Sequence, residues 1–143
     1  VTYEGQAAIR LEQTARREAE TGEMLPYELH QVEDMLMVDW SALWREDWRR
    51  LVSPARAFHR AVAASLADLA RFGLRRYPGL PVVLTGGVMQ NRLLVEELSR
   101  IAPEVSFRLP MEIPVNDGGI AVGQILWAGL HFKIDGVHYE VCF

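Results

Sequence analysis

Cysteine is almost absent from this chain of 143 residues, and the single one, Cys142, can form neither an internal disulfide nor an all-cysteine zinc site. That usage suits a reducing cytoplasm, the expected location. Basic residues are scarce as well: 15 Lys and Arg against 19 Asp and Glu give a formal charge of −4 and a pI near 5.6. No electrostatic case for nucleic acid follows, because phosphate backbones reward clustered cations. The one local cluster, Arg45, Arg49 and Arg50, is interrupted by Glu46 and Asp47 and reads as a solvated helix face. No apolar run reaches the roughly 18 to 20 residues that span a bilayer, and no basic-then-apolar pattern opens the chain, so no membrane partner is expected. The G-x-G-x-x-G spacing of dinucleotide binders, a Walker lysine and an HxxxH pair are all missing. Half of the residues are hydrophobic, enough to bury one substantial core, so a single domain over 1–143 is expected.

Periodicity then predicts the elements. Ala8, Leu11, Ala15 and Ala19 form a narrow apolar stripe on a helix over 4–20, stopped at Thr21-Gly22. Leu25, Tyr27 and Leu29 alternate with polar residues and Met35 to Val38 is a short apolar run, which predicts two paired strands. Asp39 can cap a short helix in which Trp40, Trp44 and Trp48 recur every four residues, an aromatic ridge with Leu43 and Leu51 that packs against a neighbour. Ser53 as cap and Pro54 at the first helical position open the longest helix. Phe58, Val62, Leu66, Leu69 and Phe72 line its apolar stripe against the sheet, and Tyr77-Pro78-Gly79 ends it. His59 lies beside that stripe with no acid, nucleophile or second ligand spaced to it, and reads as structural.

The stretch from Val82 to Leu94 carries more information. An apolar run breaks at Gly86-Gly87 and resumes as a helical pattern through Leu93, Leu94, Leu98 and Ile101, with a further strand at 105–109. The expectation is strand, tight turn, helix, then a strand parallel to the first. Two absent Cβ atoms allow positive φ and let a flat or anionic ligand lie against the main chain, with the amides at the helix start facing it. A second element of this form follows at Asn116-Asp117-Gly118-Gly119, where a helix rich in Gly123, Ala128 and Gly129 begins and can approach a neighbour closely. Asp117 suits either a helix cap or a hard ligand for a divalent ion. Beyond it, Asp135-Gly136 signals a C-terminal hairpin.

Gly86-Gly87-Val88 with Asn91, then Asn116-Asp117-Gly118-Gly119-Ile120-Ala121, resembles the C-terminal lobe of the carbamoyltransferases that mature hydrogenases, the HypF family. Thr2-Tyr3-Glu4-Gly5-Gln6-Ala7-Ala8, Phe58-His59-Arg60-Ala61 and Met89-Gln90-Asn91-Arg92-Leu93-Leu94 are similar to it too, so the likeness runs to about Leu130. The glycine pairs alone are shared with antibiotic O-carbamoyltransferases and tRNA threonylcarbamoyl-adenosine synthases. The resemblance implies an α/β fold, the C-terminal half of an actin-like, sugar-kinase-like ATPase unit with a mixed sheet and packed helices.

By the same resemblance, Gly86, Gly87, Asn91, Gly118 and Gly119 contact the nucleotide, and Asp117 is a metal ligand. The reaction implied turns ATP and carbamoyl phosphate into carbamoyl-adenylate and passes the carbamoyl group to the C-terminal cysteine of a HypE-type partner, for nickel-iron hydrogenase. The remaining metal ligands and the opposing wall would lie in an N-terminal lobe. An opening without Met suggests a segment of a longer protein. Asp117 is then expected to bind metal in the whole enzyme and to cap in the isolated chain, which is expected to be inactive alone and, secondarily, to self-associate as a homodimer. Two other readings compete: a protein-binding module using the Trp ridge and hairpin, and a nucleotide-binding piece of an unrelated α/β enzyme.

Overall fold

The computed structural model describes residues 2–131, which fall into two units: one of residues up to Val83 together with 91–108, the other of 84–90 and the described residues from 109. The hairpin expected around Asp135-Gly136, and Cys142, lie outside the described residues.

In the first unit α1 (Gln6–Arg17) ends earlier than expected, because Glu18 turns extended at φ −73°, ψ 155°. That turn has a purpose in packing. The Glu18 carboxylate accepts the Ala55 and Arg56 amides at 3.3 and 2.8 Å, at the start of α2 (Pro54–Arg76). Ser53 precedes the helix as expected, yet its hydroxyl does not cap it; it donates to the Ala19 carbonyl at 2.7 Å. A carboxylate matches the positive end of the helix dipole better than a neutral hydroxyl, which is why the remote group takes the cap.

The apolar stripe of α2 differs from expectation too. Phe58, Val62, Leu66, Leu69 and Phe72 are half-buried, while the covered apolar positions are small: Ala55, Ala57, Ala61, Ala63, Ala64 and Ala67, beside the buried polar His59, Arg60 and Ser65. Rather than lying on a sheet, α2 packs chiefly between α1 and α3 (Arg92–Ile101), where its alanines allow close approach. Ala15, Ala55 and Leu93 meet with Leu11 against them. Leu25, Ala57 and Ala61 form a second cluster, ringed by Tyr27, Trp40, Leu43, Leu51 and Phe58.

The strands match in pairing more than in extent. β1 (Glu28–Val32) runs antiparallel to β2 (Met35–Asp39), with Glu28 opposite Asp39 and His30 opposite Met37. β3 (Val82–Val83) is parallel to β4 (Phe107–Arg108), joined through α3 as the strand-helix-strand order required. These are two separate two-stranded sheets rather than one mixed sheet. The Trp ridge does not form: Ser41–Arg45 and Trp48–Arg50 are two 3-10 turns, whose three-residue period does not align every fourth side chain. Trp40 packs on Tyr27 at 5.6 Å between centroids and Trp48 on Phe58 at 6.3 Å, whereas Trp44 is 90% exposed. In the second unit α4 (Ile120–His131) leaves Ile120, Ile125 and Leu130 exposed, and among the described residues no heavy atom outside the helix's own backbone and the chain neighbours lies within 4 Å of a Cβ built on Gly123.

Between α2 and α3 the Glu97 carboxylate is 3% exposed and faces the Arg60 Nε at 3.5 Å, the Arg56 Nε at 4.0 Å and the Arg100 guanidinium. Replacing it leaves buried guanidinium charge without a counterion. Glu97→Ala is expected to destabilise by about 3–5 kcal/mol, against less than about 1 kcal/mol for Glu96→Ala at the exposed pair with Arg16; denaturant midpoints separate the two. Farther along α2, Tyr27 donates to Asp68 at 2.8 Å, and burial with that bond pushes its phenol up to about 12. A raised folded value means that the stabilisation is whole below the ordinary phenol range and is lost as pH rises through the folded value. Unfolding free energy should therefore fall between about pH 10 and 12, and Tyr27→Phe should flatten that decline, as measured by denaturant titration across the range.

Candidate functional site

Both glycine turns belong to the second unit. Gly86 sits at φ 97°, which its missing Cβ permits; Gly87 does not take positive φ, so the expectation of two such residues holds for one. The Gly86 amide donates to the Val115 carbonyl at 2.6 Å, and the Gly86 carbonyl accepts from Met89 at 3.0 Å to close a 3-10 turn over Gly87–Gln90. A backbone bond thus ties the first turn to the residue just before Asn116 and the second.

In the second turn, Asp117–Gly119, the cap is Asn116: its Oδ1 accepts the Gly118 amide at 3.1 Å and its carbonyl accepts the Gly119 amide at 2.9 Å. This corrects the capping role expected of Asp117. An Asn side chain one residue earlier reaches the orphan amide, leaving the Asp117 carboxylate exposed and, among the described residues, without a hydrogen bond or ion pair. The glycines also differ in what demands them. A Cβ on Gly119 would stand 2.5 Å from the Pro114 carbonyl oxygen and 3.2 Å from the Ile113 Cγ2, and one on Gly118 would stand 3.1 Å from the Asn116 Oδ1. A Cβ built on Gly86 or Gly87 would meet no heavy atom within 4 Å among the described residues. Gly118 and Gly119 answer to their own loop, whereas Gly87 borders open space. The Gly86, Gly118 and Gly119 amides already donate within the protein, which leaves Gly87 as the free donor of the four among the described residues.

Asn91 belongs to the first unit, as the N-cap of α3. Its Oδ1 accepts the Leu94 amide at 3.0 Å, and its Nδ2 lies 2.8 Å from the His59 Nε2. His59 is buried, with Nδ1 at 2.8 Å from the Ala55 carbonyl. A carbonyl only accepts, so Nδ1 carries the proton and Nε2 accepts from Asn91. Sequence reading placed His59 as structural but did not find this partner, which lies 32 residues away. The neighbouring Leu93 amide goes to the Glu12 Oε1 at 3.1 Å. The helix start expected to face a ligand therefore has its first donors engaged by Asn91 and Glu12.

Residues 1–124 match the carbamoyltransferase, Kae1-like domain, second subdomain, of HypF. The chain belongs to the HypF carbamoyltransferase family. It is 34% identical over 133 residues to the carbamoyltransferase HypF of Synechocystis sp., covering 88% of the chain and 17% of that relative. It is 33% identical over 129 residues to that of Rhodobacter capsulatus, covering 89% and 16%. Against the crystal structure of full-length HypF in a phosphate- and nucleotide-bound form it superposes with a TM-score of 0.71 at 29% identity, covering 96% of this chain and 22% of that one. T. kodakarensis HypF gives 0.73 at 25%, covering 91% and 17%. The chain thus spans about a sixth of the length of these curated HypF relatives. Among the described residues no helix is long and apolar enough to cross a membrane.

The glycine environments predict an ordered series in thermal unfolding. Gly119→Ala should cost about 1–3 kcal/mol through its clash with the Pro114 carbonyl, and Gly86→Ala about 1–2 kcal/mol through positive φ. Gly87→Ala should stay within about 0.5 kcal/mol of the parent.

Proposed function

We propose that this chain is the nucleotide-binding lobe of a HypF carbamoyltransferase, built as the C-terminal half of an actin-like ATPase unit. The observation that carries the reading is the open space and free amide at Gly87, beside a turn tied by Gly86 to Val115, with the unengaged Asp117 carboxylate in the same unit. A relative solved with phosphate and nucleotide bound supports it.

In the proposed reaction carbamoyl phosphate is first hydrolysed to inorganic phosphate and carbamate; a carbamate oxygen then attacks the α-phosphorus of ATP, pyrophosphate leaves, and carbamoyl-adenylate forms. The C-terminal cysteine thiolate of a HypE-type partner then attacks the carbamoyl carbon, forming the C–S bond as AMP departs. Within this chain, the Gly87 amide donates to a phosphate oxygen, and the absent Cβ lets the ligand reach the main chain. Gly86, Gly118 and Gly119 hold the two turns in shape, and Asn91 fixes the start of the helix that follows the first turn. Asp117 fits one position on a divalent ion, since its carboxylate is exposed and unpaired; such an ion would supply positive charge against the nucleotide phosphates. The other ligands and the opposing wall belong to further parts of the longer enzyme, so the 143-residue chain by itself is expected to give no turnover. Positioning in a closed site lowers a barrier by roughly 7–11 kcal/mol, and one wall retains little of that.

In a full-length HypF carrying this segment, Gly87→Val should weaken ATP binding by about tenfold or more in calorimetry, because its side chain fills the space beside the free amide. Asp117→Asn should lower bound metal and carbamoyl transfer while leaving nucleotide affinity within about threefold. Wild-type affinity in Gly87→Val would reduce the turn to a structural element; wild-type metal content in Asp117→Asn would remove that residue from the ion.

A further inference from the structure

We propose that the open end of the β1–β2 hairpin is a zinc-type divalent metal site formed by Glu28, His30 and Asp39, separate from the glycine turns and independent of the function proposed above. Register places the three residues together. Glu28 is directly opposite Asp39, and His30, two residues along β1, points to the same face as Glu28. The His30 Nε2 lies 3.6 Å from the Glu28 Oε2 and 3.6 Å from the Asp39 Oδ2, and one ligand atom from each residue falls within 4.8 Å of the others. At 3.6 Å these contacts are too long for hydrogen bonds. They come close to the ligand-to-ligand edge of about 3.3 Å that bonds of about 2.0–2.1 Å generate in a tetrahedron.

Two further observations fit an ion rather than a mere ion pair. The Asp39 Oδ1 accepts the Ser41 amide at 2.7 Å, which orients the carboxylate and leaves Oδ2 toward His30, as outer hydrogen bonds do for metal-binding carboxylates. No Lys or Arg pairs with Glu28 or Asp39 among the described residues, so two carboxylates face one imidazole without a permanent cation. An imidazole with two carboxylates suits zinc and its transition-metal neighbours better than magnesium, which prefers oxygen alone. Water would complete the coordination. Because Glu28 begins β1 and Asp39 ends β2, the ion would fasten the two strands at the end away from their turn, where a two-stranded hairpin is otherwise weakly held.

The test titrates zinc chloride into the 143-residue chain carrying Asp117→Asn, which removes the other candidate carboxylate, and follows each histidine ring by nuclear magnetic resonance. The His30 ring signals should move with zinc. Affinity read at His30 should drop by about tenfold or more in Glu28→Gln and in Asp39→Asn, both of which keep the hairpin's shape. Amide exchange in β1 and β2 should slow with zinc in the parent, and should not respond in His30→Asn. Unmoved His30 signals at saturating zinc, an equal response to magnesium, or hairpin protection that persists in His30→Asn would each overturn the proposal.

Discussion

Carboxylates from one short helix and the turn after it decide how the first unit is assembled. Glu12 takes the Leu93 amide at the start of α3, and Glu18 takes the Ala55 and Arg56 amides at the start of α2. Each helix N-terminus leaves four amides without internal partners and carries the positive end of its dipole, so these bonds meet a requirement that every buried helix start must meet somehow. Glu23 extends the scheme by accepting the Val52 and Ser53 amides, and the Val52 bond above all holds its carboxyl below the usual range. With α2 and α3 both anchored on α1, the alanine face of α2 can pack closely, and the space between α2 and α3 is filled by Glu97 and its arginines.

That arrangement bears on ligand recognition. At the start of α3 the Leu93 and Leu94 amides already bind Glu12 and Asn91, so these two donors are not free for a phosphate. The proposed site draws on main chain in the second unit: among the described residues, the Gly87 amide with clear space beside it and an Asp117 carboxylate without a hydrogen bond or ion pair. One donor and one ligand atom make a partial site. This fits a chain that matches 17% of the length of its Synechocystis relative.

Elements set by neighbouring residues were legible from the start. Proline at the first position of α2 and Tyr77-Pro78-Gly79 at its end mark a helix through backbone chemistry that acts within a few residues. The β1–β2 pairing and the parallel β3–β4 pairing followed from alternation and from strand-helix-strand order, and the glycine turns with Asn91 and Asp117 carried the family. The shorter reach of β3 and β4 and the split of Trp40, Trp44 and Trp48 between packing and exposure were not legible, since both depend on what lies opposite each side chain.

The sequence by itself determined the helix and strand order, the family and the two turns where backbone meets open space or its own loop, because glycine, proline and hydrophobic period act locally. Tertiary structure decided which group closes each helix. Glu18 reaches Ala55 across 37 residues and Glu12 reaches Leu93 across 81, and no local pattern encodes a partner at that separation. It likewise chose alanines over the large apolar side chains for the covered face of α2, because the gap between packed helices, rather than the hydrophobicity of each residue, sets what fits there.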